Sequence, residues 1–184
     1  MTLSALGIFS AAGAGGVVAG DYELISTTTL GTATSSITFS NLGDYSSTYK
    51  HLQVRLVAQS TQAGTGSNGQ IAIIGLNALS MTKNHYLYGN GSSVSSGVGG
   101  ANGFLVNLVR SGSTNVFSAS VVDILDAYST TKNKTVRWLG GYSSEIALGS
   151  NLWENTSSIT SIAISTSADN FSIGSRFSLY GIRG

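Results

Sequence analysis

Between Lys50 and Ser60 the chain reads KHLQVRLVAQS, with apolar residues at every second position. In an extended strand this puts Leu52, Val54, Leu56 and Ala58 on one face, and Gln53, Arg55, Val57 and Gln59 on the other. No long stretch replaces this alternation with a helical period. The chain also contains no proline, so every reversal has to be made by Gly, Asn, Asp or Ser. Both features point to an all-β fold.

The same reading marks further strands. Residues 21–26 form the first, and Ile37 with Phe39 form a second that ends in a turn at 41–44. Residues 71–77 read as a buried strand bulged at Gly75, and residues 104–110 as another. Along residues 115–127 the alternation places Phe117, Ala119, Val121, Asp123 and Leu125 on one face. Strands follow at 134–140, briefly at 145–148, within SSITSIAIST, and in the terminal SRFSLYGIRG. Residues 61–70 read as a glycine-rich loop or hairpin tip, and residues 85–103 as the longest irregular stretch. Eight to ten strands separated by such turns predict a two-sheet antiparallel sandwich of jelly-roll type.

Residues 1–20 differ from the rest. MTLSALGIFSAAGAGGVVAG carries no charged side chain and is interrupted by five glycines. No Lys or Arg precedes Lys50, so the positive region of a secretion signal is missing. The glycines make a poor and weakly hydrophobic membrane helix, so no membrane insertion is expected. The domain division is therefore 1–20, a docking arm, and 21–184, the sandwich. Leu3, Leu6, Ile8, Phe9, Val17 and Val18 supply the arm's apolar contacts. The arm packs on its own domain or on a neighbouring subunit; exposed, it is an aggregation liability.

Charged residues make up only 9% of the chain and the net charge is +1. That is not the basic footprint of a nucleic-acid binder. Mean hydropathy is +0.19. Such a surface, built from Ser, Thr, Asn and Gly, suits a protein that lives in an assembly. Without cysteine there is no disulfide and no thiolate metal site.

Catalytic material is thin. His51 begins a strand, and His85 adjoins Tyr86 and Tyr88. Asp123 and Asp126 are the closest acidic pair, but in a strand residues three apart face opposite ways. Arg137 or Arg110 is the expected partner of such an aspartate. No nucleophile elbow, phosphate loop or paired-histidine zinc motif occurs, so neither an enzyme nor a cofactor is expected. Tyr86, Tyr88, Trp138, Tyr142 and Trp153 fall near loops or strand ends, where they serve a core or a contact surface. His85, Tyr86, Tyr88 and Asn90 are the candidate receptor contacts.

DYELISTTTLGTATSSITFSNL, TYKHLQVRLVAQS, YGNGSSVSSG, VVDILDAYSTTKNKTVRWLGG and FSLYGIRG occur in order along the chain. Together they resemble a family of small virion and fibre-end proteins of tailed bacteriophages, particularly those of marine bacteria and cyanobacteria. The resemblance implies a virion protein made in the host cytoplasm and partnered by other capsid or tail proteins. One placement is a trimeric capsid decoration or cement protein held to the shell by residues 1–20. The other is a tail-fibre or adhesin tip whose 85–103 segment reads a host surface glycan.

Overall fold

The computed structural model describes residues 21–67, 70–99 and 103–184. The strands are β1 (Tyr22–Thr29), β2 (Ser36–Phe39), β3 (His51–Ser60), β4 (Ile71–Leu76), β5 (Leu79–Ser80), β6 (Lys83–Gly89) and β7 (Val94–Gly99). They continue as β8 (Gly103–Asn107), β9 (Val109–Arg110), β10 (Ser118–Ile124), β11 (Lys134–Tyr142), β12 (Glu145–Trp153), β13 (Ile162–Thr166) and β14 (Arg176–Ile182). The larger sheet runs β1-β14-β3-β10-β11-β12-β6-β7, with β9 added on β3. The smaller runs β2-β13-β4, and β8 and β5 share the far edge of β4. Pairing is antiparallel except at β9. The two sheets pack together as an all-β sandwich.

The alternation of β3 sets the core. Leu52, Val54, Leu56 and Ala58 are buried. Val54 lies between Leu179 of β14 and Val122 of β10, and Leu56 between Phe177 and Ser120. Ile74 and Leu76 of β4 and Ile162 and Ile164 of β13 join the same core from the smaller sheet. Burying each such side chain contributes about 1.5–3 kcal/mol.

Several expectations change. Among the described residues fourteen strands replace the expected eight to ten, because two-residue pieces and the 85–103 region contribute. That region is largely the β6–β7 hairpin, not an irregular loop. Its glycine content reflects packing: a Cβ on Gly97 would lie 2.4 Å from the Tyr86 ring. Asn90 closes the hairpin, its side-chain oxygen accepting from the Ser92 and Ser93 amides at 3.1 and 2.9 Å. Of the two readings of 61–70, the hairpin tip is excluded, since β3 and β4, which it links, belong to different sheets. The expected strand at 104–110 divides at buried Leu108 into β8 in one sheet and β9 in the other. The irregularity of β4 falls between Ala72 and Ile73, not at Gly75. Asn77 and Ala78, both at positive φ, instead make the tight β4–β5 turn. The 41–44 turn is a 3-10 turn over Leu42–Tyr45. The strand expected at 145–148 continues to Trp153, and the 115–127 strand shortens to Ser118–Ile124.

One cation lies inside. Lys134, at the start of β11, is fully buried, and its ammonium donates to the carbonyls of Ser129, Lys132 and Thr156 at 2.6, 2.9 and 3.2 Å. Burial pushes its pKa below the usual lysine range, opposed by Asp126. All three ammonium protons are used, so the side chain closes the 129–134 loop against residue 156. Lys134→Met keeps the apolar stem and orphans three carbonyls. It is expected to destabilise the fold by about 3 kcal/mol, read by urea unfolding.

A second polar tie closes the β1 edge. The Tyr49 hydroxyl donates to Glu23, and Arg183 reaches the same carboxylate at 3.0 Å while lying 5.5 Å from the Tyr49 ring centre. The Tyr49 hydrogen bond, then Arg183, holds the Glu23 pKa below its usual 4.5. A depressed carboxylate contributes stability above its unfolded pKa, and that contribution is lost as pH falls through the folded value. Thermal unfolding should therefore fall more steeply below about pH 4.5 in the native chain than in Glu23→Gln. Asp126 and Glu154, held down by Lys132 and Lys83, leave acid sensitivity in both proteins.

Candidate functional site

The outward phase of the larger sheet is apolar over its middle. Val121, Leu139, Leu148 and Leu87 stand directly opposite one another across β10, β11, β12 and β6. The next row holds Val57, Ala119, Gly141 and Ile146. Leu139 is 51% exposed, Leu148 49% and Ile146 59%. Between the rows lies a shallow depression of about 550 Å³, over Arg55, Val57, Val121, Leu139, Gly141 and Ile146. Cross-strand apolar neighbours hold a sheet together by only about 0.2–1 kcal/mol per pair. Burial against a partner, at about 25 cal/mol per Å², would draw much more from the same side chains.

A polar row borders this face. Gln53 donates to Asp123 at 2.8 Å, Arg55 donates to Gln53 at 2.8 Å, and Arg137 lies 3.8 Å from Asp123. The Arg55 guanidinium sits 4.8 Å from the Tyr180 ring centre. Charged residues at this face and its border are Arg55, Arg137 and Arg176, with Asp123 and, lining the depression itself, Glu145. Arg137, rather than Arg110, is the partner of Asp123.

The residues expected to read a receptor do not share one surface. His85 points outward from β6, whereas Tyr86 and Tyr88 point inward and pack half-buried against the core. Asn90 is engaged in the β6–β7 turn. Burial, followed by a hydrogen bond to Glu145, raises the Tyr88 pKa. Glu145 also accepts from Asn107 at 2.6 Å and from Ser67 at 3.1 Å. This corner joins the hairpin to both sheets. Trp138 and Trp153 are buried core residues. His51 accepts from the Asp126 amide at 2.8 Å, and Asp126 pairs with Lys132 at 2.6 Å. Leu3, Leu6, Ile8, Phe9, Val17 and Val18 lie outside the described residues.

The apolar face was missed although its signal is present. In KTVRWLGG and EIALG both phases carry apolar residues, a pattern that ordinarily marks a strand covered on two sides. Among the described residues no group of three or more His, Cys, Asp or Glu side chains converges to hold a metal. Nor, among them, is any helix long and apolar enough to cross a membrane. No family model, curated protein or solved structure matches the chain.

Proposed function

We propose that this chain is a structural, non-enzymatic component of a bacteriophage virion, acting as a capsid decoration or cement protein. The observation that carries the assembly reading is the exposed apolar face formed by Val121, Leu139, Leu148 and Leu87 with Val57 and Ile146. A contiguous apolar patch on a soluble surface marks a place of contact. The placement on a virion follows the resemblance of the strand blocks to tailed-phage proteins. We read the order β1-β14-β3-β10 opposite β2-β13-β4-β8 as a jelly roll extended at one side by β11, β12, β6 and β7. This is an architecture common in viral shells and lectins, and by itself it fixes no function.

In this reading the chain is a homotrimer bound to the shell through residues 1–20, and weak contacts repeated by symmetry supply the affinity. The tail-fibre placement, with a glycan read by His85, Tyr86, Tyr88 and Asn90, has less support, because those side chains face different ways.

Cryo-electron microscopy of particles containing the chain is expected to place it at local three-fold positions of the shell. Density at the distal end of the tail would overturn the cement assignment. Deleting residues 1–20 should leave a folded sandwich that fails to incorporate. Loss of folding in that variant would make the segment part of the domain.

A further inference from the structure

We infer that Arg55 and Arg176, on the outer face of the larger sheet, form a binding site for a doubly charged oxyanion of the phosphate monoester class. The inference goes beyond the virion reading and does not rest on it.

The site lies where β1, β14 and β3 run side by side. A pocket of about 360 Å³ opens there between the two arginines, lined also by Thr27, Ser178, Leu24 and Val57. Register brings the arginines together. Arg176 stands opposite Val57, and Ser178 opposite Arg55. The two arginines are therefore diagonal neighbours across β14 and β3, about 7–8 Å apart at the backbone. Beside both stands Ser178, a buried residue whose hydroxyl lies 2.9 Å from that of Thr27.

Arg55 is oriented before any ligand arrives. Its Nε donates to Gln53 at 2.8 Å, and its guanidinium sits 4.8 Å from the Tyr180 ring centre. That leaves its two terminal nitrogens, which can grip an oxyanion through parallel hydrogen bonds.

Charge selects the ligand. Arg137 pairs with Asp123 and Arg183 with Glu23, whereas among the described residues Arg55 and Arg176 form no ion pair. Asp123 lies diagonal to Arg55 across β3 and β10, and is already engaged by Gln53 and Arg137. Glu145 lines the apolar depression that Arg55 also borders. It stands three strands from Arg55, about 14 Å at the usual spacing, and accepts from Ser67 and Asn107. No carboxylate lines the pocket itself. Two guanidiniums so placed repel each other. A phosphate monoester, with close to two negative charges near neutral pH, cancels both, whereas one carboxylate cancels one. A pocket of this volume holds more than a bare anion, and Leu24 and Val57 border the space left for the ligand's carbon skeleton.

The test titrates the full-length protein with inorganic phosphate and with glycerol phosphate near neutral pH, sodium chloride holding the ionic strength constant. Two-dimensional amide NMR follows binding and confirms the fold of each variant. Both ligands are expected to saturate, with the largest shifts at Thr27, Arg55, Arg176 and Ser178. Arg55→Gln and Arg176→Gln should each weaken binding about ten-fold, the loss of one charge-assisted pair. Lys50→Gln, exposed and outside the pocket, should leave it unchanged. Acetate at the same ionic strength should bind about ten-fold more weakly than phosphate. Shifts that fail to saturate, or native affinity in either arginine variant, would overturn the site. Equal affinity for acetate would overturn the match to a dianion. Exclusion of glycerol phosphate while inorganic phosphate saturates would overturn the monoester class.

Discussion

The inward apolar row of β3 is the constraint on which the other elements depend. This strand pairs with β14 on one side and β10 on the other, and its last residues also receive β9. Its inward residues Leu52, Val54, Leu56 and Ala58 are all buried. A one-residue slip would turn Gln53, Arg55, Val57 and Gln59 into the core and expose the four apolar side chains. Register on β3 therefore fixes register on β10 and β14, and β10 passes it on to β11 and β12.

Further from β3 the sheet continues by a different device. The inward row that starts at Val54 and Val122 proceeds through Trp138, Gly149, Tyr86 and Gly97. A Cβ on Gly149 would lie 2.6 Å from Trp138, as one on Gly97 would collide with Tyr86. Each aromatic ring thus occupies the space that the neighbouring strand leaves empty. Glycine and aromatic residues substitute there for the β-branched pairs that usually hold adjacent strands. This explains how β7, built from Ser, Gly and Val, is held at all.

These two devices differ in legibility. The β3 pattern and the phase of β10 can be read directly, because alternation of apolar and polar residues is a local signal. The glycine–aromatic row cannot, since Tyr86 and Gly97 become neighbours only after the hairpin forms. Segment 85–103 therefore reads as loop, and its tyrosines read as contacts when they are packing residues. Lys134 was hidden for a related reason: lysine is a surface residue unless carbonyls converge on it, and Thr156 is distant in sequence. The crossing at 61–70 was misread because a glycine-rich link looks the same whether it joins paired strands or separate sheets. The apolar face was half legible, as two apolar phases in β11 and β12, but its continuity needed the cross-strand register.

That face is not a requirement of the fold. On the same strands, one step of two residues away, the outward row is Gln53, Asp123, Arg137, Ser150 and His85. The sheet accommodates this polar row beside the apolar one, with the same backbone pairing and the same buried side beneath. Val121, Leu139, Leu148 and Leu87 could thus be replaced by polar residues without cost to the core. Leaving them in water forgoes about 25 cal/mol for each Å² that a contact would cover. A folding argument accounts for the inward phase of β10, β11 and β12 but not for the outward one. The outward rows make physical sense as one half of a contact.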